Sequence, residues 1–143
     1  ALLTPGSVQC ILQVEENVWV AHAPSSLLFF DRNTLAQTPD MQLDAGKINR
    51  MAYAGGRVWL ATTTRGVVCM DANPRGLLDK RELRGHTSAL VADLACMGKY
   101  VWSLGGDQTI CVWDTKSLKL RKSFRVSVMN CIAYVARQAW VAR

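Results

Sequence analysis

The sequence is short of the groups from which metal centres and nucleotide sites are made. It contains two histidines and five cysteines in 143 residues. The cysteines, Cys10, Cys69, Cys96, Cys111 and Cys131, form no Cys-x-x-Cys pair, which leaves a zinc site without a ligand set. An odd number of thiols set in apolar runs reads as buried free cysteine in a reducing compartment, so the expected location is cytoplasmic. No apolar run approaches the ~18 residues of a membrane span. Neither a Gly-x-x-x-x-Gly-Lys phosphate loop nor a Gly-x-Gly-x-x-Gly turn is present, and no cofactor or metal is expected. No basic leader or long apolar stretch opens the chain, so no secretory signal is visible. The chain begins without Met and stops at Arg143 inside an apolar run, and reads as a piece of something longer.

What is present is a globular composition, 50% hydrophobic with 17 Lys+Arg against 11 Asp+Glu, which excludes a disordered tail. It is also periodic. Asn17-Val18-Trp19-Val20-Ala21, Arg57-Val58-Trp59-Leu60-Ala61, Tyr100-Val101-Trp102-Ser103-Leu104 and Gln138-Ala139-Trp140-Val141-Ala142 match one another. Their tryptophans are 40, 43 and 38 residues apart, a period that fits a propeller blade or a helical pair.

The flanks decide between these. Twelve residues after the first three tryptophans stands an aspartate behind a large apolar residue: Phe30-Asp31, Met70-Asp71 and Trp113-Asp114. Apolar residues also stand eleven and eight positions before each tryptophan: Val8/Ile11, Ile48/Met51, Val91/Leu94 and Met129/Ile132. Length varies only after the aspartate. The apolar runs are short, rich in Val, Ile and Trp, and bounded by Gly, Asn, Asp and Pro, which favours strands.

We read strand a at 8–14, 48–54, 89–97 and 128–135, and strand b at 18–22, 58–62, 100–104 and 138–142. Strand c falls at 27–31, 67–71 and 109–114, and strand d at about 41–45, 77–84 and 119–126. Gly55-Gly56 fills an a–b turn, and Gly105-Gly106 with Asp107 a b–c turn. Strands b and c are apolar on both faces and must be covered on both. The last strand d alternates Lys119, Arg121, Ser123 and Arg125 with Leu120, Lys122, Phe124 and Val126, which suits a charged outer edge. The expected fold is all-β: blades of a β-propeller over about 8–45, 48–84 and 89–126, with the first hairpin of another at 128–143.

Gly85-His86, Ser103, Asp107 and Trp113-Asp114 together resemble a WD-repeat. The resemblance implies that His86, Ser103, Asp107 and Trp113 form a buried hydrogen-bonded tetrad. At matching positions the other units carry Met70 or Phe30 for the tryptophan and Thr64 or Pro24 for the aspartate, so only one unit has the full set. The Val-Trp of strand b also looks like the divergent propellers appended to signalling proteins such as Rho exchange factors and inositol-phosphate phosphatases.

Ser103, His86 and Asp107 have the composition of a hydrolase triad, but Ser103 lies mid-strand with no nucleophile elbow, so no catalytic residue is assigned. His22 follows strand b and is expected at the surface. Four tryptophans share one buried strand position and the fifth is that of Trp-Asp, which leaves none as a stacking platform for a base. Arg50 and Asp93 occupy the same register position of strand a. Neighbouring blades either pair them or leave both at the solvated top of the central channel.

Charge is uneven. Residues 1–46 carry one basic and five acidic residues, residues 47–143 carry 16 basic and 6 acidic, and no acid follows Asp114. A basic face of this kind either guards a solvated outer strand or meets RNA, acidic lipid or an acidic peptide. The expected function is a non-catalytic scaffold for protein partners. Arg65, at a b–c loop tip, and Arg50, Lys119, Arg121 and Arg125 are the candidate binding residues. The alternative is a basic module that docks a larger signalling enzyme onto acidic lipid or RNA. Propellers close with roughly 4–8 blades, so a fragment is expected, either cut from a longer propeller or persisting through self-association or a second chain.

Overall fold

A computed structural model describes residues 8–23, 25–72 and 80–126. Among these residues there is no helix. Twelve strands form three four-stranded sheets, each a meander in chain order with antiparallel neighbours. The first holds β1 (Val8–Val14), β2 (Asn17–His22), β3 (Ser26–Asp31) and β4 (Gln37–Gln42). The second holds β5 (Ile48–Ala54), β6 (Arg57–Thr62), β7 (Val67–Asp71) and β8 (Lys80–Leu83). The third holds β9 (Val91–Met97), β10 (Tyr100–Gly105), β11 (Thr109–Asp114) and β12 (Leu120–Arg125). The hairpin expected at 128–143 lies outside the described residues, as do Cys131 and Trp140.

Period-two alternation explains how strands without a polar face stay soluble. Along β6, Val58 and Leu60 enter the core shared with the first sheet, while Trp59 and Ala61 enter the core shared with the third. Trp19 sits opposite Phe29 in the ladder and meets it edge-on at 4.8 Å in the first of these cores. Trp19 and Trp59 thus each plug the joint to the next sheet, which is why the motif recurs from unit to unit.

The repeated aspartate closes the c–d turn. Asp31 Oδ1 accepts the N–H groups of Asn33 at 2.8 Å and Thr34 at 2.9 Å. Asp114 Oδ1 accepts those of Lys116 and Ser117 at the same two distances. These donors hold both carboxyls below the usual carboxylate value. They also steady a left-handed residue, Leu35 at φ 63° and Leu118 at φ 61°, a conformation that is costly for leucine.

A β-bulge recurs at one place in the first strand of every sheet, at Gln9, Asn49 and Ala92. The extra residue turns its side chain out of the ladder. Two of the three carry an amide that reaches the next sheet. Ile48 N–H donates to Gln9 Oε1 at 3.0 Å, and Asn49 Nδ2 donates to Val91 O at 2.9 Å.

The first outer strand departs from expectation. It spans 37–42 rather than 41–45, because the turn capped by Asp31 returns the chain at once, and Gln37 pairs with Phe30. Leu43 and Ala45 alternate like strand residues but belong to the linker. Their N–H groups donate to Ser25 O at 2.9 Å and Ser25 Oγ at 2.8 Å, and their side chains fill the first core. Strand a of the third sheet starts at Val91 rather than 89. His22 is the last residue of β2 and only 1% exposed, not a surface residue. Of the thiols, Cys69 and Cys111 are buried, Cys10 is half-buried and Cys96 is exposed, against the expectation that all are covered.

Candidate functional site

The b–c corner of the third sheet brings His86, Ser103, Asp107 and Trp113 into one hydrogen-bonded chain. Trp113 Nε1–H donates to Ser103 Oγ at 2.8 Å, and Ser103 Oγ lies 2.7 Å from His86 Nε2. His86 Nδ1 lies 3.3 Å from Asp107 Oδ1. With the proton on Nδ1 every contact has one donor: indole to hydroxyl, hydroxyl to imidazole, imidazole to carboxylate. Asp107 also accepts the Thr87 N–H at 2.7 Å, the Thr87 hydroxyl at 3.0 Å and the Thr109 N–H at 3.1 Å. Ser103 is 0% exposed. Its hydroxyl is already engaged on both sides, so it offers no nucleophile to solvent.

Two glycines make the close approach possible. A Cβ on Gly85 would stand 2.7 Å from the Trp113 ring, and one on Gly105 would overlap His86 Nδ1. The glycine pair at 105 and 106 was expected to supply the turn itself. Neither has a positive φ, and the left-handed residue of that turn is Gln108 at φ 60°. Gly105 is the last residue of β10, and its contribution is space beneath the imidazole.

Burial holds the His86 imidazole below its ordinary 6.5, against the pull of the Asp107 carboxylate. Burial raises the Asp107 carboxyl in turn, but the Thr87 donors and His86 together outweigh it and hold it low. Both groups therefore bind protons more readily in the unfolded chain. The histidine contribution is complete above about 6.5 and is lost as pH falls through its lowered value. The carboxylate contribution is lost at still lower pH. The melting temperature should fall between pH 7 and pH 5, and His86→Gln should flatten that slope. An unchanged slope in the variant would exclude His86 as its source.

Arg50 and Asp93 take the paired alternative. Arg50 Nε meets Asp93 Oδ1 at 2.8 Å, with the aspartate 3% and the arginine 50% exposed. The Leu94 N–H donates to the same oxygen at 2.9 Å. Removing one partner of a fully buried pair costs about 3–5 kcal/mol, and water can reach the outer half of Arg50. Arg50→Ala should therefore cost about 2 kcal/mol, and a double-mutant cycle with Asp93→Asn should show coupling between the two positions. Additive effects would mean that the pair contributes nothing of its own.

The other candidate cations fall in two places. Arg65, 46% exposed, braces the second sheet to the linker that precedes it. Its Nε donates to Asp44 O at 3.1 Å, and its guanidinium lies 3.6 Å from the Asp44 carboxylate and 3.5 Å from that of Glu82. It shares one surface hollow with His86 and Thr87, and so lies on the same face as the Gly85–Thr87 corner. Lys119, Arg121 and Arg125 are exposed on or beside β12, the outer strand of the third sheet. Arg121 lines a hollow of about 490 Å³ with Lys122, Tyr100, Trp102, Val112 and Phe124. Trp102 is only half-buried there, edge-on to Phe124 at 5.9 Å, which corrects the expectation that every strand-b tryptophan is covered.

Among the described residues no group of three or more His, Cys, Asp or Glu is placed to hold a metal ion. Nor is any helix among them long and apolar enough to cross a membrane.

No protein-family model matches the chain, and no curated protein matches it. Solved structures do. A structure of U3-55K superposes with a TM-score of 0.74 at 13% identity, over 87% of this chain and 41% of that one. The RRP9 WD40 repeats give 0.75 at 13% identity, over 88% and 41%. The computationally designed Ika4 protein gives 0.72 at 18% identity, over 86% and 75%. The chain thus spans 41% of the length of the U3-55K and RRP9 structures. Their likeness agrees with the three four-stranded meander sheets. In fold, the described residues are three successive four-stranded blades of the β-propeller kind seen in those WD40-repeat structures.

Proposed function

We propose that this chain is a non-catalytic scaffold that binds protein partners through the loops of one propeller face, within a larger intracellular signalling or assembly protein. The WD40 fold of its structural neighbours supports the reading. The observation that carries it is the loop rim. Arg65, Thr64 and the Gly85–Thr87 corner share one face, braced by hydrogen bonds and ion pairs to the strands beneath. Rigid strands that carry polar loops suit recognition better than turnover. The tetrad is assigned a structural role within this frame, holding the corner that presents Thr87 and Ser88.

One observation favours a second reading. Lys119, Arg121, Lys122 and Arg125 are all exposed on or beside one strand. They would let the chain dock a larger enzyme onto acidic lipid or RNA.

A single comparison separates the two. Binding to a crosslinked protein partner should be lost in Arg65→Glu and kept when Lys119, Arg121 and Arg125 are all replaced by alanine. The reverse pattern, with affinity for phosphatidylserine vesicles or RNA that collapses at high salt, would replace the scaffold by the docking module.

A further inference from the structure

Among the described residues two serines are exposed, Ser117 and Ser123. Ser117 is tied into the turn that Asp114 caps: its N–H donates to the Asp114 carboxylate at 2.9 Å, and its hydroxyl accepts the Lys119 N–H at 3.4 Å. Ser123 stands inside β12, and its hydroxyl has no hydrogen-bond partner among the described residues.

The surroundings of Ser123 are cationic. Lys119, Arg121 and Lys122 precede it closely, Arg125 follows, and all four are exposed. Asp114 is the nearest acid before it, and none follows in the chain. The Asp114 Oδ1 is engaged by the turn, and among the described residues none of the four cations forms an ion pair. The strand is also weakly held. β12 is the edge of its sheet, paired with β11, and all its residues are exposed except the half-buried Phe124. Lifting such an edge uncovers little apolar surface, so it opens at far less than the global cost. An exposed hydroxyl, cations on both sides and an extended, liftable backbone suit a kinase that selects basic substrates, whose cleft sets carboxylates against the substrate's cations.

We infer that Ser123 is a phosphorylation site for a basic-directed serine kinase. In the transfer Ser123 Oγ attacks the γ-phosphorus of ATP and the bond from that phosphorus to the β–γ bridging oxygen breaks. ADP leaves with the electron pair, and the hydroxyl proton passes to the kinase's catalytic aspartate. The phosphate brings about −1.5 to −2 of charge at neutral pH, so the strand loses about half of its positive charge. Arg125 is on the same face of the strand, in reach of that phosphate. The loss of charge bears on the second reading above, docking to an acidic surface, while the site itself does not depend on that reading.

The test treats the full chain with Mg–ATP and the catalytic domain of protein kinase C, a basic-directed enzyme, and maps the phosphate by fragmentation mass spectrometry. Nearly stoichiometric phosphate is expected on Ser123 of the folded chain. Ser123→Ala should remove most of it. Arg121→Ala/Lys122→Ala should lower kcat/KM about tenfold or more. Both variants should keep the melting temperature, since these side chains are exposed. The phosphorylated chain should leave immobilised heparin at lower salt than the unmodified chain. Phosphate on another residue, equal labelling of Ser123→Ala, labelling only after heat unfolding, or unchanged kinetics in the double variant overturns the site. Unchanged elution from heparin with Ser123 fully modified overturns the discharge of the strand.

Discussion

Asp107→Ala is expected to lower the stability of the described fold by about 3 kcal/mol. The carboxylate serves four donors at once: the His86 imidazole, the Thr87 N–H and hydroxyl, and the Thr109 N–H. Leaving a buried donor unsatisfied costs about 1–3 kcal/mol. Thr87 is exposed and water can replace part of its loss, so the penalty falls mainly on His86 and Thr109. Thr64 stands at the equivalent corner of the second blade, is exposed, and holds Ala45 O only through its backbone N–H at 3.1 Å. Thr64→Ala should therefore shift stability by less than about 0.5 kcal/mol. Chemical denaturation of both variants measures the contrast, and equal midpoints would remove the network from the stability of the blade.

Gly105→Ala should be at least as damaging, for a different reason. The added methyl would overlap His86 Nδ1 and stand 2.5 Å from Asp107 Oδ1, so the two must separate. Overpacking of this kind costs about 1–3 kcal/mol, and the broken hydrogen bonds add to it. The backbone itself raises no objection, since Gly105 has no positive φ. In a His86→Ala/Asp107→Ala background both clashes disappear, and Gly105→Ala should be close to neutral or slightly stabilising through the unfolded chain. A penalty that persists without both side chains would show that the glycine is required for its backbone and not for space.

The architecture was legible because it rests on local period and equal spacing. The tryptophan pairs opposite Phe29, Cys69 or Val112 in successive sheets, so one motif reports one blade. The corner of the third blade was legible because four specific side chains are needed at once. The other corners solve the same problem with different residues, and no fixed motif marks them. At the position of Gly105, Thr62 Oγ1 donates to Gly66 O at 2.8 Å and accepts the Arg65 N–H at 3.0 Å. His22 fills that place in the first blade and is buried. The outer strand of the first blade was misplaced because Leu43 and Ala45 carry on the alternation of Met41 after the strand has ended at Gln42. The brace of Arg65 was illegible for a related reason: it joins Asp44, Arg65 and Glu82, and their meeting depends on a linker course that periodicity does not specify.

The recurrent bulge bears on how such a chain can grow. The first and second units each contribute a reaching side chain to the unit after them, and the first strands of the second and third receive it. Gln9 and Asn49 do this with amides that meet main-chain groups, whose chemistry is the same whatever side chain they carry. A duplicated or transplanted unit would therefore find its joint already compatible, without matched substitutions in its neighbour. Ala92 has only a methyl at that place, so a unit joined behind the third blade would lack this side-chain tie and would rely on apolar packing around Trp102 and Phe124. Interchangeability is thus built into the backbone of the joints, and the side chains that do vary are free to diverge on the rim.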